Sequence, residues 1–297
     1  MSYTSQVKDE ILSKPILSFE EKLSEIKAVL LTKNHSEGKG FELRLESISL
    51  ADRVYRLLKE MTNLKINIKY STSKKFGEHN IYIIAIPPQK GFSDFLQLLE
   101  SYDLERYLTS EPAAVGFTRG MFLACGYIKS PAKEYALDFF IDDESSADDL
   151  YTILKFFNKK VFKTIKRNKP LVYLRNSEDI MDILVLIGSI QSFYNYEETT
   201  MMKDLKNKTI REMNWEVANE TKTLNTGNKQ IKMIEFIQDK MGLKNLSPVL
   251  EEVAILRLNN PESTLEELGK IIGISKSGIR NRFRRIEDIY ISLGGED

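Results

Sequence analysis

The sequence predicts an α+β chain, in which a duplicated α/β saddle with pseudo-twofold symmetry is followed by an all-α domain. The apolar period switches between helical and alternating in the same order twice, over residues 19–100 and again over 115–190. FELRL (41–45) matches YALDF (135–139), and LADRVY (50–55) matches SADDLY (146–151), at a nearly constant spacing. Two copies this long suit a twofold domain, whereas a solenoid needs three or more short repeats. Beyond residue 228 the pattern is that of a compact helical domain. The boundaries are therefore read as 1–197 for the duplicated domain, 198–228 for a basic linker helix and hinge, and 229–297 for the helical domain.

In the first copy, Phe19, Leu23, Ile26, Leu30 and Leu31 fall on one helical face. Phe41, Leu43 and Leu45 then alternate with Glu42, Arg44 and Glu46, as in a strand with one wet side. Leu50, Val54, Leu57, Leu58 and Met61 restore the helical period. Strands follow at 65–70 and 80–86, the second stopped by Pro87-Pro88, which cannot donate to a ladder, and a helix over 92–99 closes the unit. The second copy repeats this with helix 116–125, strand 135–141, helix 146–157, strands 161–166 and 171–175, and helix 177–187.

Composition bounds the rest. At 42% hydrophobic and 29% charged residues the chain can build real cores, and with 43 basic and 43 acidic residues any basic surface must be local. A single cysteine excludes an intramolecular disulfide, and the charged start MSYTSQVKDEIL lacks the apolar run of a secretory signal, so a reducing cytoplasm is expected. The longest apolar runs fall far short of the roughly 20 residues of a membrane span, and no membrane partner is expected.

Local basic surface is present in both copies. The second hairpin carries Lys159, Lys163, Lys166 and Arg167 among its basic residues, with no acid between 150 and 177. The first carries Lys65 and Lys69, with Lys74 and Lys75 in its loop. Two readings are open: contacts to a DNA backbone, or solvated edges on which lysine deters strand-to-strand aggregation. The linker adds Lys203, Lys206, Lys208 and Arg211 ahead of Trp215, and residues 223–228, with Gly227 among them, read as the breakpoint.

The helical domain carries the sharpest motif. Ser247-Pro248 opens a helix with Leu250, Val253, Ala254 and Leu258 inward, and Asn259-Asn260-Pro261 ends it. Ser263 and Glu266 have capping-box spacing ahead of Leu265, Leu268, Ile271 and Ile272, and Gly273 suits the closing left-handed turn. Ser275 caps a third helix with Ile279, Phe283 and Ile286 on its inner face. Lys276, Ser277, Arg280, Asn281 and Arg284 form its other surface, flanked by Arg282 and Arg285. Helix, glycine turn and basic, amide-bearing helix describe a helix-turn-helix for double-stranded DNA, since Arg pairs bidentately with guanine and Asn with adenine. A basic solvated helix that binds protein is the competing reading.

GFTRGMFLACGYI (116–128), together with the repeat, resembles the LAGLIDADG homing-endonuclease fold. With NWEVANETKT (214–223) and TLEELGKIIGISKSGIRNRFRRI (264–286), nearly the whole chain resembles the WhiA family. The resemblance implies a bacterial, cytoplasmic and nucleoid-associated transcriptional regulator tied to cell division, chromosome segregation or sporulation. It would act on DNA with other transcription or cell-division proteins, and without a cofactor. Trp215 departs from the family, which usually has a smaller residue there.

Nuclease relatives of that fold end each motif helix with an acid, so that paired carboxylates hold divalent metal. Here the two acid positions fall on Lys33 and Cys125. An ammonium repels Mg²⁺ and a soft thiol suits zinc better, so neither metal binding nor strand cleavage is expected. One alternative is a metal-dependent endonuclease on Asp142, Asp143 or Glu144, which equally suit the start of the helix that follows. Another is a protein-docking module with weak DNA binding. His35 and His79 lie in polar loops and read as surface residues, and HExxH, paired CxxC and GxxxxGK[ST] motifs are absent.

Overall fold

The computed structural model describes residues 2–295 except 17, 34, 38–39 and 74–78, and leaves the side chains of 35–37, 72–73 and 79 undescribed. Lys74, Lys75 and the imidazoles of His35 and His79 thus lie outside the described part. The chain divides into two compact units, Met1–Asp204 and Leu205–Asp297.

The first unit opens with α1 (Tyr3–Ser13), which precedes the first repeat. The first copy then runs α2 (Phe19–Thr32), β1 (His35–Glu37), β2 (Phe41–Leu45), α3 (Ile48–Met61), β3 (Asn67–Ser73), β4 (His79–Ile86) and α4 (Phe92–Glu100). After α5 (Leu104–Thr109) the second runs α6 (Glu111–Cys125), β5 (Gly126–Ile128), β6 (Leu137–Phe140), α7 (Glu144–Phe156), β7 (Val161–Lys166), β8 (Lys169–Leu174) and α8 (Ser177–Leu186). The sheets are ordered β1-β2-β4-β3 and β5-β6-β8-β7 and are antiparallel throughout, so the duplication extends to topology. Strands β1 and β5 went unpredicted because three residues are too few to display a period.

Register follows the apolar alternation. Phe41 pairs with Ile86 and Leu43 with Ile84, and all four are buried. In the second sheet Leu137 pairs with Leu174 and Phe139 with Val172, again all buried. Sequence pattern and pleat agree on which face is dry.

The two motif helices α2 and α6 meet at glycine. A Cβ on Gly120 would sit 2.5 Å from the Glu25 carbonyl oxygen, and one on Gly116 would collide with the backbone of Glu21. Small residues therefore permit backbone contact here. Beside this seam lies a buried charge cluster. The Glu25 carboxylate accepts from Arg53 and from Arg119 Nε at 2.8 Å, and Arg119 also donates to Glu21. Arg53 reaches on to the carbonyls of Ile11 at 3.0 Å and Lys14 at 2.8 Å, which fastens the end of α1. Charges this deep persist only when each is paired and hydrogen-bonded.

Helix α9 (Ile190–Met241) corrects the expected hinge, because it runs unbroken through residues 223–228. Gly227 serves close approach instead: a Cβ there would lie 2.6 Å from the Pro261 carbonyl oxygen. Glycine spaced for contact and glycine spaced for a turn look alike in one dimension.

The second unit packs the C-terminal part of α9 with α10 (Pro248–Asn259), α11 (Leu265–Ile272) and α12 (Lys276–Ser292). Ile234, Ile237, Val253, Ala254, Leu268, Ile279, Phe283 and Ile286 form its core. The capping box of α11 uses Thr264 and Glu267, one residue later than Ser263 and Glu266. Of the expected apolar stripe, Leu268 is buried together with Gly269, whereas Ile271 turns to solvent, 59% exposed. Gly273 closes α11 in the left-handed region at φ 73°, as its position predicted. On α10 a charged side chain, Arg257, goes under cover beside Val253 and Ala254, at 1% exposure.

Candidate nucleic-acid interface

Helix α12 follows Gly273 after a short turn, and Ser275 caps it by accepting from the Gly278 amide at 3.2 Å. The Ser275 and Ser277 hydroxyls lie 2.8 Å apart. Ile279, Phe283 and Ile286 anchor the helix in the core, which fixes what the other faces present. Ser275, Lys276, Ser277, Arg280, Asn281, Arg284 and Arg285 are exposed. Arg282 is set apart from them: it turns toward α10, with Nη1 3.6 Å from Glu252 and little exposed surface. Its place next to the inner face, invisible in a plain charge run, explains the difference.

Four-residue spacing sorts the exposed side chains into rows. Lys276, Arg280 and Arg284 line a groove of about 1390 Å³, while Ser277, Asn281 and Arg285 lie outside it on the next row. The opposite wall is α9, with Trp215, Asn219, Lys222 and Thr226. These were missed as functional candidates because the segment read as linker and hinge. Their signal was present, since Asn219, Lys222, Thr226 and Lys229 recur at helical spacing.

Arg257 lies at the foot of the groove. Its Nε donates to Gln230 Oε1 at 3.0 Å, and its Nη1 to the carbonyls of Asn260 at 3.1 Å, Pro261 at 3.3 Å and Ser263 at 2.7 Å. The guanidinium also stands 5.5 Å from the centre of the Phe283 ring. One side chain thereby ties α9, the loop before α11 and α12 together. Every one of these acceptors is neutral, and burial pulls the Arg257 pKa down.

The basic hairpins of the first unit are less free than their composition suggests. Lys159 pairs with Asp182, Lys163 with Asp148 and, at 3.7 Å, Glu144, and Lys69 lies 3.9 Å from Glu42. Lys65 is exposed beside β3, where its backbone exchanges hydrogen bonds with the Gln89 amide. Lys166 is exposed at the end of β7, and Arg167 occupies the hairpin turn at φ 57°. Acids supplied by neighbouring elements account for the pairing, which a run of lysines in one segment cannot reveal.

Around Cys125 the surroundings are cationic. Cys125 donates to the Met121 carbonyl at 3.2 Å, and burial pushes its thiol up to about 12 against the opposing pull of Lys8 and Lys33. Lys8 stands 5.6 Å from the centre of the Phe122 ring, and burial draws its ammonium down to about 8. The alternative acids have structural tasks. Asp143 caps α7 by accepting from the Ser146 amide at 2.8 Å, Asp142 pairs with Lys169, and Glu144 sits in the first turn of α7 near Lys163. Among the described residues, no three His, Cys, Asp or Glu side chains gather as a metal site, and no helix is long and apolar enough to cross a membrane.

Comparison with known proteins agrees with this architecture throughout. Residues 24–101 match the WhiA N-terminal LAGLIDADG-like domain, 114–206 the WhiA LAGLIDADG-like domain, and 210–290 the WhiA C-terminal HTH domain. The Probable cell division protein WhiA of Halothermothrix orenii is 34% identical over all of both chains. That of Clostridium tetani is 31% identical, over 100% of this chain and 99% of its own. The crystal structure of full-length DUF199/WhiA from Thermatoga maritima, 26% identical, aligns over 100% of this chain and 99% of that one with a TM-score of 0.61. Matched by family domains along most of its length and by relatives along all of it, the chain belongs to the WhiA family.

Proposed function

We propose that this chain is a non-catalytic, sequence-specific DNA-binding protein that regulates transcription in the service of cell division, chromosome segregation or sporulation. The observation that carries the reading is the exposed surface of α12, where Lys276, Ser277, Arg280, Asn281, Arg284 and Arg285 project from the second helix of a helix-turn-helix. Arg and Asn side chains can read guanine and adenine in the major groove, and neighbouring Lys and Arg can hold phosphates. Names of relatives support the link to cell division. Partners would be double-stranded DNA and other transcription or cell-division proteins, and the site of action the nucleoid. Lys65, Lys69, Lys159, Lys163, Lys166 and Arg167 form a secondary set of backbone contacts in this reading, with Lys65, Lys166 and Arg167 less encumbered than the three that meet carboxylates.

The non-catalytic part of the reading is supported by the chemistry of the former acid positions. A thiol with its pKa pushed up to about 12 and nearby ammonium groups make a poor seat for a hard divalent cation. The test is a binding titration of the full chain on duplex DNA at several salt concentrations, alongside plasmid incubation with Mg²⁺ or Mn²⁺. About five phosphate contacts would give a slope of log K against log[salt] of roughly minus four to five. The double variant R280A/R284A should lose most of that affinity and stay folded. Unchanged affinity in the double variant would overturn the assignment of α12. Metal-dependent nicking that a carboxylate substitution abolishes would overturn the non-catalytic reading.

A further inference from the structure

We propose that residues 215–229 of α9 are the second half of the DNA interface, and that the groove between them and α12 holds one sugar-phosphate strand of the duplex whose major groove α12 enters. This rests on the DNA-binding reading of α12 and adds to it a second element with a separate task.

The groove is built for a polyanion. Lys222 on one wall faces Lys276, Arg280 and Arg284 on the other, and none of the four is paired with a carboxylate among the described residues. The one acid in the lining, Glu287, is already engaged by Lys229 at 3.1 Å. Arg257 adds a buried cation with only neutral acceptors, and a phosphate in the groove would supply its missing counter-charge. Asn219 provides a neutral amide donor on the α9 wall, while the Thr226 hydroxyl is committed to the Lys222 carbonyl at 2.8 Å.

Size and shape point to a polymer strand. At about 1390 Å³ the space exceeds the roughly 300–1,000 Å³ of small-molecule sites. The major groove of DNA admits one helix, so with α12 inside it α9 must lie over the flanking backbone. The rows of α12 then divide the labour. Lys276, Arg280 and Arg284 face the strand in the groove and hold phosphates, while Ser277, Asn281 and Arg285, on the row outside it, meet base edges. Gly227 and the Arg257–Gln230 bond keep α9 close enough to act as a wall.

Full-length protein would first select a preferred duplex from a random-sequence pool. Anisotropy titrations on that duplex and on a scrambled one, at several salt concentrations, would follow, with emission from the single tryptophan read in parallel. Trp215 is 69% exposed at the lip of the groove, so duplex binding should alter its emission. K222Q, an exposed change with little consequence for folding, should reduce the salt slope by about 0.9 and weaken both duplexes by the same factor. N281A should weaken the preferred duplex by roughly 5- to 150-fold and leave the slope intact. If R280A/R284A loses binding while K222Q changes neither slope nor affinity, the α9 wall is refuted and the reading helix survives. If none of these variants binds differently, both fail. A K222Q effect confined to the preferred duplex would refute the assignment of Lys222 to phosphate.

Discussion

Glu10 holds the start of α9 in the first unit, and its removal makes a quantitative test. Its carboxylate accepts from the Ser189 hydroxyl at 2.8 Å, the Ser192 hydroxyl at 2.7 Å and the backbone amides of Gln191 at 2.8 Å and Ser192 at 2.9 Å. Lys14 stands 3.2 Å away. Burial by itself would raise the pKa, but the hydrogen bonds from Ser192, Ser189 and the two amides outweigh it and hold the group at about 2, against 4.5 for a free glutamate. Its folded pKa being depressed, the stabilisation is fully present above the unfolded value and is lost as pH falls toward about 2. Discounted for solvent screening of a partly exposed carboxylate, the gap corresponds to about 2–3 kcal/mol at neutral pH and less than half of that at pH 3. In E10Q, amide exchange at Gln191, Ser192 and Phe193 should lose roughly 100-fold of protection at pH 6, with the difference from wild type shrinking steadily toward pH 3. Equal protection in the two proteins at pH 6, or a difference that stays constant down to pH 3, would refute the account of Glu10 as an ionised cap.

Three further outcomes follow from the packing. Gly120→Ala drives a methyl into the Glu25 carbonyl and should destabilise the first unit by about 1–3 kcal/mol, read as a lowered thermal transition; an unchanged transition would mean that α2 and α6 do not touch there. Arg257→Met leaves the Gln230 amide oxygen without its donor, so a loss of about 1–3 kcal/mol is expected in the calorimetric unfolding of the helical domain. Cys125, with its thiol pushed up to about 12, should react with a disulfide reagent at pH 8 at least about tenfold more slowly in the folded chain than in denaturant, the lost thiolate outweighing its greater nucleophilicity, and equal rates would contradict the raised pKa.

The duplication, the order of the longer elements and the helix-turn-helix pattern were legible in the sequence. Those rest on local rules: Leu43 and Leu45 alternate because one face of a sheet is dry, and Ile279, Phe283 and Ile286 repeat because one face of a helix is. What tertiary structure decided are partnerships between distant segments. Gly227 looked like a breakpoint until the Pro261 carbonyl came beside it. Nothing in the pattern of α10 singles out Arg257, yet the carbonyls of the following loop and Gln230 close around it. Lysines that seemed to form open basic strands met Asp148 and Asp182 from neighbouring helices. Periodicity records which face of an element is buried; it does not record what that face is buried against, and the groove between α9 and α12 exists only through that second kind of information.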